Sequence, residues 1–446
     1  MRRRETDEQI YYHKFFFRVL RHFFPKFKSW INKLDEPRMK NKCKYPLNYM
    51  VFIGIIFFIL KIETRRQLKY KLNSKRFIKN LNKYLGTNLA KLVHYDTLEY
   101  FNQKFRIENL EQLRKKMTQR LIRMKKLVGY RLFGKYYLVA IDGTGNLTFK
   151  ERHCDKCLIR KTKSGEIRYY HPVLDAKLIT SNGLALSIGS EFIENEKRIR
   201  KEMSEEERQD CELKAGYRLL KKIKKDYPQL KICILADSLY ANQNIMQMCE
   251  EYGWKYIITF KEGSIPNVYK EFELLKKLVK DNKKDISKEK VEQEFRWVNE
   301  IEHEGHKVNI VECNEIKKRG SERRTFCYIT NIEITKKDVD YIVNQGGRLR
   351  WKIENEGFNM QKNGGYNLEH QYSSDNTAIK NYYLFMQIAH IINQLVEKSN
   401  LLKQHLKYFG SIKNLSERLI AELIFLEINF DEINSYSNFY ITLDTG

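Results

Sequence analysis

Three carboxylates stand in settings that suit a divalent cation. Asp142 follows the apolar run Y-Y-L-V-A-I, Asp237 follows K-I-C-I-L-A, and Glu354 lies within R-L-R-W-K-I-E-N-E-G-F. Intervals of 95 and 117 residues separate them, but two strand ends and one helix face can bring all three to one point. An oxygen-rich cluster of this kind binds Mg²⁺. It could also hold two ions about 3.5–4 Å apart, clamping the attacking and leaving oxygens of a phosphodiester displacement. Singly, each acid has an ordinary explanation. An Asp after a strand is often a turn residue, Asp237 before Ser238 can cap a helix, and a Glu on a polar helix face is commonly a solvated charge.

The first two acids need strands that end side by side. Tyr136–Ile141 is a short continuous apolar run, as in a buried strand. Pro172–Thr180 and Leu184–Ile188 flank Ser181, Asn182 and Gly183, a hairpin signal. A charged amphipathic helix is expected over Glu205–Lys225, then a strand at Ile232–Ala236, a helix at Asn242–Tyr252 and a strand at Tyr256–Phe260. Strand, hairpin, helix, strand, helix, strand is the order of an RNase H-like core, in which the first and fourth strands are adjacent and parallel. Asp142 and Asp237 would then meet at the carboxyl edge of the sheet, where open α/β sheets bind ligands. Residues 269–330 begin as a charged helix and continue as the alternating runs E-F-R-W-V, H-K-V-N-I-V-E-C and T-F-C-Y-I-T-N. They read as a β-rich insertion ahead of the acid-bearing helix. After residue 375, N-Y-Y-L-F-M-Q-I-A-H-I-I-N-Q-L is expected to be a helix packed behind the sheet.

The expected fold class is therefore α/β: an RNase H-like mixed sheet flanked by helices, with a β-rich insertion and an all-helical basic N-terminal domain. The expected divisions are 1–130 for the helical domain, 131–268 for the first part of the core, 269–330 for the insertion, and 331–446 for the closing helices and an acidic tail. That tail carries no Lys or Arg and four acids in its last 20 residues, a composition that should avoid DNA and stay mobile.

Charge supports a polyanionic partner. The chain carries +27 over 446 residues, and residues 1–130 hold 32 Lys and Arg against 10 Asp and Glu. A polycationic end joined to a nearly neutral remainder is the asymmetry of a nucleic-acid-binding module attached to something else. Lys, Ile and Asn are abundant enough to suggest an AT-rich genome, but such a bias alone would not load one end. Within that end Tyr11–Leu34, Arg65–Leu85 and Leu98–Leu127 show helical periodicity, with Asp96 or Thr97 as an N-cap and room for a helix-turn-helix. Tyr49–Leu60 is wholly apolar but 12 residues long, short of the ~20 that cross a bilayer; it reads as a buried core helix. The N-terminus lacks the layout of a signal peptide.

Eight cysteines, mostly isolated, fit a reduced cytoplasmic compartment better than a disulfide framework. His153-Cys154-x-x-Cys157 has the spacing of half a zinc site. His171, Cys211 or Cys233 would have to complete it; the alternative is a pair of ordinary loop thiols. The G-T-G at 143–145 lacks the spacing and the Lys of a phosphate-binding loop.

Several phrases resemble the bacterial insertion-sequence transposases of the DDE type, in the group with a β-rich insertion before the last acid. These are A-I-D-G-T-G (140–145), L-A-D-S-L-Y-A-N (235–242) and R-W-K-I-E-N-E-G-F-N (350–359), supported by F-I-E-N (192–195), Q-D-C-E-L-K-A (209–215) and N-G-G-Y-N-L-E-H (363–370). The resemblance spans roughly residues 135–395. It implies that Asp142, Asp237 and Glu354 are metal ligands for Mg²⁺, with Mn²⁺ as a substitute, and its R-W-K-I-E register favours Glu354 over Glu356. Arg350 becomes a phosphate contact, four residues from Glu354 and so on the same face of an α-helix. Two positions depart from the family pattern: Gly347 stands where a Tyr is common, and Gln361 where a basic residue is, with Lys362 one further on and able to replace it. Trp297 could stack on a flipped base, as in related hairpin-forming transposases, or belong to the core of the insertion.

The implied activity is cleavage at the ends of a mobile element, then attack of the freed 3′-hydroxyl on target DNA, without nucleotide hydrolysis because transesterification conserves the phosphodiester bond. The implied partners are double-stranded DNA, as terminal inverted repeats and as target, and a second copy of the chain on paired ends, with no membrane and a cytoplasmic, nucleoid-associated location. A metal-dependent nuclease of the same fold, and a domesticated DNA-binding protein without activity, are the competing expectations.

Overall fold

The computed structural model describes residues 10–162, 164–195, 209–319, 322–410, 412–435 and 441–443. The chain forms two compact units, one from residues 1–126 and 360–445 and the other built on Leu127–Asn359. The first unit opens with seven helices: α1 (Tyr12–Phe23), α2 (Phe27–Asn32), α3 (Leu47–Ile59), α4 (Arg65–Leu72), α5 (Lys75–Leu85), α6 (Tyr95–Lys104) and α7 (Ile107–Arg123). Pro25 separates the first two, since it cannot continue a helix. Ser74 separates α4 from α5 and caps the latter, its hydroxyl accepting from the Phe77 N–H at 3.0 Å. Every residue of α3 from Tyr49 to Ile59 is buried, as a helix apolar on all sides must be. Among the described residues no helix is long and apolar enough to cross a membrane. Helix α6 starts earlier than the H-Y-D-T phrase suggested: its N-cap is His94, not Asp96 or Thr97.

The second unit is a mixed α/β structure around one open ten-stranded sheet. Its strands are β1 (Tyr137–Phe149), β2 (Leu158–Lys161), β3 (Ile167–Ile179), β4 (Ala185–Phe192), β5 (Ile232–Ala236), β6 (Lys255–Thr259), β7 (Lys283–Ser287), β8 (Val291–His303), β9 (His306–Lys317) and β10 (Arg323–Thr330). The order runs β2-β3-β1-β5-β6-β10-β9-β8-β7, with β4 also on β3. Strand β3 is antiparallel to β1, while β5 is parallel to β1 and β6 to β5. Helix α8 (Glu212–Asp226) precedes β5, α9 (Gln243–Glu251) links β5 to β6, α10 (Pro266–Leu278) follows β6, and α11 (Val339–Asn344) follows β10. The part of the Glu205–Lys225 expectation before residue 209 lies outside the described residues.

The β-rich stretch expected over 269–330 holds β7–β10, and it continues the core sheet: β10 pairs with β6 through Tyr328↔Thr259, Ile329↔Ile258 and Thr330↔Ile257. One expectation changes here. The long apolar helix after residue 375, α13 (Asn376–Glu397), follows the short α12 (Met360–Asn363) and belongs to the helical unit. It packs on α3, α6 and α7. A Cβ at Gly54 of α3 would stand 2.7 Å from the Phe385 ring; the two apolar helices meet there because Gly54 has none. Asn381 of α13 donates to the carbonyls of Asn102 and Phe105 at 2.8 and 2.7 Å, closing the end of α6.

Helices α14 (Asn400–Phe409), α15 (Ile412–Phe425) and α16 (Phe430–Ser435) complete the helical unit. Two of the tail acids are engaged: Glu427 pairs with Arg76 and Lys79, and Glu432 with Lys14. The last positions, 444–446, lie outside the described residues.

Candidate active site

Strand register brings the first two acids level. The parallel pairing of β1 with β5 ends at Ala140↔Leu235. Asp142 and Asp237 each stand two residues beyond that rung, so by strand alternation both side chains emerge on the face of Ala140 and Leu235. Strand β1 does not end at Asp142, as its apolar run suggested; it continues to Phe149 against β3. Apolarity stops there while main-chain pairing goes on.

The third acid arrives on an irregular helix. Gly347–Trp351 forms a 3₁₀ turn and Ile353–Asn359 a π-helical turn, a feature frequent at functional sites. The π turn packs on β1, β3 and β4, with Ile353 and Phe358 buried. Gly357 is needed there, because a Cβ would stand 2.9 Å from Lys177 Cε. The Arg350 Nη1 donates to Asp142 Oδ2 at 3.1 Å. The guanidinium also lies over the Trp351 ring, 4.5 Å from its centroid.

The electrostatics report the convergence. Burial pushes the Asp142 carboxyl up to about 6; Arg350 opposes this, and the charges of Asp237 and Glu354 add to it. Glu356, the rival for the third position, is paired with Lys352 at 2.8 Å. Asp175, opposite Asp142 in register, is a further acid on this face, but it is fully buried and compensated. It accepts from Lys177 at 2.5 Å and from Ser187 and Ser190 at 2.9 and 2.8 Å, so its charge belongs to the core.

A fourth acid lies within the phrase Q-D-C-E-L-K-A, where the sequence alone assigned it no role. Glu212, in the first turn of α8, accepts from Tyr240 Oη at 3.1 Å. Burial raises its carboxyl; the Tyr240 hydrogen bond opposes this, and the Asp142 and Asp237 charges reinforce it. Two glycines shape the arrangement. A Cβ at Gly143 would stand 2.8 Å from Glu212 Cδ, and one at Gly216 would stand 2.8 Å from Tyr240 Cε1. An acid in a helix's first turn ordinarily signals only a favourable charge at the helix end. The Gly directly after Asp142 was the available clue that something crowds that strand.

The remaining expected site residues lie on other elements. Trp297 is 3% exposed on β8, facing inward with Phe295, and is a core residue rather than a base-stacking one. Trp351, by contrast, is 53% exposed beside Arg350. Lys362 lies on α12 in the helical unit, 3.5 Å from Glu369. Gln361, at the position of the family's basic residue, is buried and donates to Gln387 at 2.9 Å. Where the family often has a Tyr, Gly347 makes room for the ring of Tyr328, which a Cβ would approach to 2.6 Å.

Apart from the acids, His153, Cys154, Cys157 and His171 place one ligand atom each within 4.8 Å of all the others, a group able to hold a metal ion. His171 is thus the completing residue; Cys211 is exposed and Cys233 is buried in β5. No protein-family model matches the chain, and no curated protein matches it in sequence.

Proposed function

We propose that this chain is a DNA transposase of the DDE type, which cuts at the ends of its own element and joins them to target DNA. The observation that carries this reading is the convergence of Asp142, Asp237 and Glu354 with Arg350 at one edge of the sheet. The order β4-β3-β1-β5-β6, with β3 antiparallel and β5 and β6 parallel to β1, supports an RNase H-like core as the scaffold.

The residues fit a divalent cation. Burial holds the Asp142 carboxyl up to about 6 against the pull of Arg350, and the neighbouring charges of Asp237 and Glu354 add to it; a hard dication with oxygen ligands would offset both the burial and the crowding of like charges. Asp142, Asp237 and Glu354 would hold Mg²⁺, or Mn²⁺ in its place, with Glu212 as a fourth oxygen donor fixed by Tyr240. When bound, the ion supplies Lewis-acid polarisation of the scissile phosphate and activation of the attacking hydroxyl. Arg350 offers forked donors that can transfer from Asp142 to a DNA phosphate. Trp351 presents an exposed indole on which a base can stack. The helical unit, with 39 Lys and Arg against 19 Asp and Glu, supplies the polycationic surface, and coordinated joining of two ends calls for a homodimer.

The test is a strand-transfer assay with purified full-length chain, Mg²⁺ and DNA taken from both flanks of its gene. Joined products are expected. Nicking without joining would make the protein a nuclease of this fold, and retention of DNA with neither would make it a DNA-binding protein.

A further inference from the structure

We propose a structural zinc site formed by His153, Cys154, Cys157 and His171, distinct from the carboxylate site and independent of the transposase reading. The residues come from three places: the turn after β1 gives His153 and Cys154, the residue before β2 gives Cys157, and β3 gives His171. The Sγ atoms of Cys154 and Cys157 are 3.7 Å apart, and His171 Nε2 lies 3.4 and 3.2 Å from them. A tetrahedral ion with Zn–S of about 2.3 Å and Zn–N of about 2.0 Å requires S···S near 3.8 Å and S···N near 3.5 Å. The separations match that shell. They do not match a disulfide, whose sulfurs stand about 2.05 Å apart.

The fourth ligand is an independent observation. His153 Nδ1 is buried and has no hydrogen-bond partner, an orphan that costs stability unless something answers it. Its ring stacks on Phe149 at 4.4 Å and stands perpendicular to that of His171. The Cys154-to-Cys157 segment is already folded into a turn, the Cys157 N–H donating to the Cys154 carbonyl at 3.3 Å. Asn195 holds the Cys157 carbonyl at 2.9 Å.

Two thiolates and two imidazoles favour zinc. Most iron–sulfur clusters take four cysteines, and the type with two cysteines and two histidines places the histidines on a different iron from the thiolates. Here His171 lies within 3.4 Å of both sulfurs, as around a single ion, and hard cations take oxygen. A full set of four protein ligands marks a structural rather than a catalytic ion. On loading, each thiol gives its proton to solvent, and two thiolates with two neutral imidazoles leave the Zn²⁺ site uncharged. The ion pins the far end of the β1–β3 ladder, the ladder that carries Asp142.

The test is zinc analysis of the full chain purified without chelator, with zinc-edge X-ray absorption on the same sample. The expected result is about one zinc per chain with two sulfur and two nitrogen neighbours at the distances above, and at least a tenfold lower zinc content in Cys157→Ser. A wild-type chain that retains no zinc after incubation with ZnCl₂ and dialysis would overturn the proposal. So would a shell of nitrogen and oxygen alone. Both of these results come from wild-type protein, so they hold even if Cys157→Ser does not fold.

Discussion

Gly143→Ala is the substitution that tests the geometry of the acid cluster most sharply. The new methyl would stand 2.8 Å from Glu212 Cδ and closer still to one of its oxygens, so one of the two must move. Strand β1 is held through this position by its pairing with Leu174, which leaves the Glu212 side chain to give way. Glu212 then loses the 3.1 Å hydrogen bond from Tyr240, and the Tyr240 hydroxyl, 1% exposed as a residue, is left without its partner. An overpacked core position costs about 1–3 kcal/mol, and stranding a buried hydroxyl falls in the same range. The expected loss is about 2 kcal/mol, or roughly 4–8 °C in thermal midpoint for a unit of this size. Calorimetry on wild type, Gly143→Ala, Glu212→Ala and the double variant forms a complete cycle. If the alanine acts through Glu212, the double variant falls no further than Glu212→Ala, within about 0.5 kcal/mol. Additive losses would refute the argument, and an unshifted Gly143→Ala protein would show that Glu212 does not occupy that space.

Other outcomes follow from the same structure. Glu422 caps α1 from α15, accepting from the Tyr12 and His13 N–H groups at 3.0 and 2.7 Å and contacting His13 Nδ1 at 2.9 Å. Burial would raise its carboxyl, but the His13, Tyr12 and Arg418 hydrogen bonds outweigh it and hold it below the ordinary 4.5. Its contribution is thus present above that pH and is lost as pH falls through the lower folded value; Glu422→Gln should cost about 2 kcal/mol at pH 7, with the difference from wild type vanishing in acid unfolding curves. Trp297→Ala should destabilise the sheet unit by about 3–5 kcal/mol. Trp351→Ala should lower the thermal midpoint by only about 1–4 °C, through loss of its contact with Arg350, and weaken single-strand DNA binding by about 1–3 kcal/mol, read by fluorescence anisotropy. DNA affinity should fall steeply with salt, and Arg350→Ala should lower the slope of log K against log salt by about one.

The sequence made some parts of this site legible and hid others for identifiable reasons. Asp142 and Asp237 could be found because each follows an apolar run, and run length reports buried strands. The extension of β1 to Phe149 could not, because G-T-G-N interrupts the apolar signal while the backbone stays paired. Glu354 was found through its surrounding phrase, but the π turn that carries it leaves no periodic trace. Glu212 was hidden because an acid in a helix's first turn already has a sufficient local explanation. Helix α13 was assigned the wrong neighbour for a related reason. A helix apolar on nearly every side says that it is buried but not against what, and the decisive contact is the missing side chain of Gly54. The alternating runs of 269–330 marked strands, but the β10–β6 pairing that joins them to the core sheet is only three rungs long and leaves no signal in the sequence. For Trp297, alternation on β8 supports the core role, and burial decided it.

The central claim is that the acids perform metal-dependent cleavage while the basic helices hold the DNA. It is tested most directly by comparing Asp142→Asn, Asp237→Asn and Glu354→Gln with wild type in two assays on the same end DNA: a gel shift, and Mg²⁺-dependent cleavage. Each substitution removes a ligand charge at nearly constant size. The account predicts retained binding in all three, with cleavage reduced at least a hundredfold. Full cleavage by Glu354→Gln would contradict its assignment, and equal loss of binding and cleavage in all three would mean that the acids hold the structure rather than perform the chemistry.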